Sequence, residues 1–149
     1  MENLDLSQHI CYSFYQVNRL FNQFYTKNLQ EFDLTYTQYL SLVILWKTSP
    51  ITLINLGKEL ELSSNTLTPL LKRLENKGYI HRYKSKNDKR QLYIKLTQQG
   101  KELENILRSK LFACFKEIEN LNPESTKSFV KSNKELAITI KKYLDNTEV

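Results

Sequence analysis

The sequence predicts a mainly α fold: a winged helix-turn-helix with a two-stranded β wing, flanked by long N- and C-terminal helices that form a dimer interface. Three observations carry this expectation. Apolar residues recur at helical spacing through most of the 149 residues, which include only 3 Gly and 3 Pro. Two short helical patterns meet at a tight turn in "LINLGKELELSSNTL". Immediately after Gly78 the periodicity changes from helical to alternating, in two short runs rich in Tyr and Ile.

Taken in order, Ile10, Phe14, Val17, Phe21 and Phe24 fall at spacings of 4, 3, 4 and 3. An amphipathic helix is expected from Asp5 or Ser7 to about Glu31. "LTYTQYLSLVILWK" (34–47) has an almost wholly apolar body, a cap at Thr35 or Thr37, and an end before Ser49-Pro50. It should be central, with Trp46 in the core. Thr52 caps a short helix, "ELSS" turns the chain, and Ser63 starts a second helix whose buried face is Leu67, Leu70, Leu71 and Leu74. Pro69 falls inside that helix as a tolerated kink, and "NKG" at 76–78 stops it. "YIHRYKS" and "QLYIKL" then form a hairpin around the charged turn "KNDKR". Thr97 caps a long helix with Leu103, Leu107, Leu111 and Ile118 on one side, and a last helix runs from about Pro123 to Leu144.

Composition narrows the function. No apolar run approaches the roughly 18 residues of a membrane helix, and the acidic, polar start "MENLDLSQ" is unlike a signal peptide, so a cytoplasmic location without membrane attachment is expected. Two distant cysteines and the isolated His9 and His81 offer neither a disulfide framework nor metal-ligand spacing. No metal or cofactor is expected. The net charge of +6 is confined to residues 51–100, which hold 10 Lys/Arg against 4 Asp/Glu, while the rest holds 12 of each. A basic block of this kind suits a polyanion, although a solvated basic surface would have the same composition.

The helix beginning at Ser63 presents Ser64, Asn65, Thr66, Thr68 and Lys72 opposite its leucines, with Arg73 beside them. Short hydrogen-bonding groups near a helix N-terminus suit base edges in a major groove, and cations further along suit phosphates. The turn of the hairpin gathers Lys84, Lys86, Lys89 and Arg90 around Asp88. Such a tip fits a narrow minor groove, with Arg90 as the probe and Asp88 holding its guanidinium. Double-stranded DNA is therefore the expected partner. A terminal helix of 25 residues would be about 37 Å long, more than a small helix-turn-helix core can cover. Pairing with a second copy would bury the remainder, so a homodimer on a pseudo-palindromic operator is expected.

"DKRQLYIKLTQQG" (88–100) resembles the wing signature of the MarR family of winged-helix repressors through Asp88, Arg90, Leu96, Thr97 and Gly100. "LTYTQYLSLVILW" and "SSNTLTPLLKRLENKGYI" resemble its thiol-based OhrR/SarZ/MgrA branch. The likeness extends over nearly the whole chain. It implies one MarR-type domain over 1–149, with the DNA-binding part at 51–97 and dimerisation helices at 5–33 and 98–146. It also implies a regulator rather than an enzyme, with a reactive cysteine at Cys11 in the first helix.

Thiols attack peroxide as thiolates, and a helix N-terminus favours such an anion only within its first turn. With a helix start at Asp5 or Ser7, Cys11 lies one to two turns in and needs other donors. Tyr15 is four residues on, on the same face. The resemblance places Tyr25 and Tyr36 at the thiol as well. Tyr25 is fourteen residues along the same helix, about 21 Å away, so it must act from the other subunit. Free cysteines are often simply buried, and an inert Cys11 in a regulator released by a small aromatic ligand is the alternative. A thiol peroxidase lacks support, because no suitable threonine and arginine accompany Cys11. Cys114 lies on the apolar stripe of the fifth helix, which suits core packing. In two-cysteine members of the branch it would be the resolving cysteine, and otherwise a small thiol completes the reaction.

Overall fold

Most element boundaries coincide with a side chain or backbone bond that closes a turn. The structure, a computed structural model, describes residues 9–86, 89–118 and 123–147. Helix α1 spans Ile10–Leu29 and is followed by a single 3-10 turn at Gln30–Phe32, closed by Asp33 in the left-handed region (φ 50°). The expected start at Asp5 or Ser7 falls outside the described residues, and the first helical residue is Ile10. His9, in an extended conformation, precedes it without a side-chain cap. Cys11 is therefore the second residue of α1, in its first turn, and not one to two turns in.

Helix α2 (Tyr36–Lys47) opens on a capping box, which selects Thr35 over Thr37. The Thr35 hydroxyl accepts the Gln38 backbone N–H (3.3 Å) and the Gln38 side chain accepts the Thr35 N–H (3.0 Å). Gln38 and Ser41 are buried polar residues satisfied within the helix, since Ser41 donates to the Thr37 carbonyl (2.9 Å). Leu42 and Leu45 enter the core with Leu29, Leu56, Leu71 and Ile94. Trp46 is half-buried against that core, and its Nε1–H donates to the Gly100 carbonyl at 2.8 Å.

Strand β1 (Ile51–Thr52) leads into helix α3 (Leu53–Leu60), and a turn connects this to helix α4 (Ser64–Asn76). Thr52 caps α3 through the Asn55 N–H (3.2 Å), and Ser63 caps α4 through Thr66. In the turn, Leu62 donates to the Gly57 carbonyl (2.9 Å). A Cβ on Gly57 would stand 2.9 Å from the Leu62 carbonyl oxygen, so only glycine lets α3 and the turn approach so closely. Helix α4 continues through Pro69 and buries Leu67, Leu71 and Leu74, with Leu70 partly covered. Gly78 (φ 78°) ends it in a Schellman motif: Tyr79 N–H bonds the Leu74 carbonyl and Gly78 N–H the Glu75 carbonyl.

Strands β2 (Ile80–Lys84) and β3 (Leu92–Leu96) are antiparallel, with Tyr83 opposite Tyr93. The sheet has three strands rather than the expected two, in the order β1-β3-β2, because Ile51 and Thr52 pair with Ile94 and Tyr93. Helix α5 (Gln98–Lys116) begins at a joint built by Leu96, Thr97 and Gly100. The Thr97 hydroxyl donates to the Gly78 carbonyl (2.6 Å) and accepts the Gly100 N–H (3.0 Å). A Cβ on Gly100 would be 2.0 Å from the Tyr79 carbonyl oxygen. Glycine here is a condition for the wing and α5 to meet.

The chain divides into two units, Met1–Arg108 and Ser109–Val149, and α5 crosses the division. In the first, Leu103 and Leu107 of α5 complete the core, while Ile10, Phe14, Val17 and Leu20 leave much of the apolar stripe of α1 exposed. In the second, Leu111 is buried, but helix α6 (Pro123–Asn146) exposes Phe129, Ile138, Tyr143 and Leu144. Ile118 departs from the expected stripe: α5 ends at Lys116, so Ile118 lies past the helix and is exposed. Among the described residues no helix is long and apolar enough to cross a membrane.

Candidate nucleic-acid interface and sensing cysteine

Because the leucines of α4 all turn inward, its other face is left to solvent. Ser64, Asn65, Thr66, Thr68, Lys72 and Arg73 are all exposed on it. Two hydroxyls are held in place: Thr66 Oγ1 is 3.1 Å from Ser63 Oγ, and Thr68 donates to the Ser64 carbonyl at 2.7 Å. Each retains lone pairs for a ligand's donor. Lys86, Lys89 and Arg90, in the β2–β3 turn, are exposed too. Asp88 lies outside the described residues, and with it the expected contact to Arg90.

Arg82 and Lys77 of the basic block each pair with a carboxylate of the same chain. Glu75 Oε2 accepts from Arg82 Nε (2.8 Å) and lies 2.7 Å from its Nη2. Lys77 pairs with Asp33 Oδ2 at 2.8 Å and also donates to the Asp33 carbonyl. The first pair joins α4 to β2, and the second joins the end of α4 to the α1–α2 corner. Neither pairing has a signature in the sequence beyond Glu75 being the lone acid on α4.

Cys11 is a free, exposed thiol, and Tyr15, on the same face one turn later, is exposed and stacks on Tyr12 at 6.3 Å. As the second residue of α1, Cys11 lies in its first turn, where the Tyr12 and Ser13 N–H groups donate to the His9 carbonyl at 3.0 and 3.2 Å. Tyr25 and Tyr36 come together within one chain, with stacked ring centroids 4.1 Å apart. Tyr39 extends the cluster, 5.5 Å from Tyr25 and 6.1 Å from Trp46. It went unnoticed in the sequence although it lies three residues from Tyr36, on the same helical face. Burial, then the neighbouring phenols Tyr36 and Tyr39, push the Tyr25 hydroxyl well above its ordinary range, and burial raises Tyr36. Both remain protonated donors at neutral pH. Cys114 is half-buried on α5.

The MarR family model matches residues 34–92, which run from the start of α2 into the wing. The HTH-type transcriptional regulator SarZ of Staphylococcus epidermidis is 37% identical over 131 residues, 88% of each chain. The chain belongs to the MarR family. Among solved structures, reduced AbfR bound to DNA matches with a TM-score of 0.80 and 42% identity over 93% of this chain and 94% of that one. A disulfide form of AbfR matches at 0.68 and 40% identity, over 95% and 93%. In this MarR chain the winged helix-turn-helix is thus common to sequence, structure and relatives.

Proposed function

We propose that this MarR chain is a dimeric DNA-binding transcription regulator whose operator affinity is set by oxidation of Cys11. The observation that carries the redox part is the exposed Cys11 thiol in the first turn of a helix whose apolar stripe is uncovered within the chain. AbfR, similar over nearly the full length, occurs both reduced on DNA and in a disulfide form, which supports the same two states here.

In this reading residues 51–97 bind DNA. Ser64, Asn65, Thr66 and Thr68 face base edges, while Lys72 and Arg73 hold phosphates. Lys86, Lys89 and Arg90 enter the minor groove, with Asp88 orienting Arg90. Helices within 5–33 and 98–146 pair two copies, which bury the exposed residues of α1 and α6 and present two recognition helices to one pseudo-palindromic operator.

Cys11 thiolate attacks the O–O bond of a hydroperoxide, giving sulfenic acid and releasing an alcohol once the alkoxide takes a proton. A thiol then condenses with the sulfenic acid, forming a disulfide and water. Tyr15, Tyr25 and Tyr36 are the phenolic donors to the Cys11 sulfur, and Tyr25 serves the other copy's sulfur. The thiol is Cys114 or a small molecule. Either product is too bulky for a packed helix pair, so α1 shifts and the spacing of the half-sites is lost.

Intact mass after one equivalent of an organic hydroperoxide tests the chemistry. One added oxygen, a disulfide to Cys114 of the other copy, or a mixed disulfide when a small thiol is present, mapped to Cys11, is the expected result. An unmodified Cys11 would overturn the reading in favour of an inert cysteine.

A further inference from the structure

The wing must hold a fixed angle to α4 if one enters a minor groove while the other lies in a major groove. The covalent link between them is weak for that purpose. Only Lys77, Gly78 and Tyr79 separate α4 from β2, and Gly78 adopts a left-handed conformation open to few other residues. A second link bridges the joint. Strand β2 is the edge of the sheet, so half of its N–H groups point away from β3. Arg82 N–H is one of these, and it donates to Glu75 Oε1 at 2.8 Å. The other carboxylate oxygen takes the Arg82 guanidinium, through Nε at 2.8 Å and Nη2 at 2.7 Å. One carboxylate from the last turn of α4 thus grips both the backbone and the side chain of one wing residue. The pair is shielded, with Arg82 only 19% exposed and Glu75 28%. His81 Nδ1, 3.7 Å from Oε1 and largely in solvent, lies outside the grip. Burial alone would raise the Glu75 carboxyl, but the Arg82 backbone N–H and guanidinium outweigh it and hold the group below its ordinary value.

We infer that Glu75 is a positioning residue for DNA recognition: gripped by Arg82, it sets the angle of the wing to the recognition helix without touching DNA. The inference rests on the DNA-binding reading above. It makes a prediction opposite in sign to simple electrostatics. A carboxylate near a polyanion is repulsive, so on charge alone Glu75→Gln should tighten binding to any duplex. Loss of positioning should instead weaken binding to the preferred sequence and leave non-specific binding unchanged or stronger. Arg82→Lys keeps the charge and loses the planar fork. On charge alone it should do nothing, whereas on positioning it should follow Glu75→Gln.

The probes are a duplex of about 30 base pairs selected from a random pool by the wild-type protein, long enough for two half-sites one turn apart, and poly(dI-dC). Both variants are expected to lose about tenfold or more in affinity for the selected duplex, a loss on the scale of one misplaced base contact, and nothing for poly(dI-dC). An unchanged or tightened selected duplex in both variants, or equal losses on both DNAs, would overturn the role of Glu75. A wild-type protein that selects no sequence would overturn the DNA-binding reading itself, which is a different outcome.

Discussion

Tyr25 of α1 and Tyr36 of α2 stack face to face with centroids 4.1 Å apart, which joins the two helices through their phenol rings. Both are held protonated by burial, and a protonated phenol can donate to a thiolate. Replacing both by Phe keeps the stack and removes the donors. Alkylation of Cys11 at pH 7, followed by mass, should slow by about tenfold or more, the scale of losing a hydrogen bond to a charged group. Equal rates would separate the pair from the cysteine.

The same burial has a consequence at high pH. A group whose folded pKa is raised stabilises the fold fully below its unfolded value and loses that contribution as pH rises above it. For Tyr25, raised by burial and then by Tyr36 and Tyr39, the loss begins above 10.0. Denaturant midpoints should therefore be flat toward pH 10 and fall beyond it, and Tyr25→Phe should reduce that fall.

On α4 and the wing, Lys72 and Arg90 are exposed cations with separate tasks in the proposed interface. Lys72→Ala should lower the slope of log affinity against log salt by about one unit, equally on all sequences. Arg90→Ala should weaken binding most where the operator is A·T-rich. Fluorescence anisotropy across a salt series distinguishes the two.

The joint between the wing and α5 tolerates no added carbon, because a Cβ on Gly100 would lie 2.0 Å from the Tyr79 carbonyl oxygen. Gly100→Ala should cost about 2–3 kcal/mol through forced displacement of backbone. Thermal denaturation measures it.

How much was legible in the sequence depended on how local each signal was. The ends of α4 were readable because Ser63 and Gly78 act on their own neighbours, and so was the buried leucine face of that helix. The start of α1 was not, since His9 contributes no side-chain cap and nothing in "SQHICYS" marks Ile10 as the first helical residue. That one boundary moved Cys11 into the first turn. Strand β1 was missed because two residues cannot show an alternation, and their strand character comes from pairing with Ile94 and Tyr93 far along the chain. Tyr39 beside Tyr25, and Arg82 in the grip of Glu75, are likewise tertiary choices. The exposed polar residues of α4 were found because the helical period alone places them opposite the leucines.

Operator binding before and after oxidation tests the central claim most directly. A selected duplex should be bound by the reduced protein, released on treatment with organic hydroperoxide and a small thiol, and rebound after dithiothreitol, while Cys11→Ser stays bound throughout. In the same assay without added thiol, loss of the response in Cys114→Ser would assign the bridge to Cys114. If Cys11→Ser releases DNA under peroxide as the wild-type protein does, Cys11 is not the sensor.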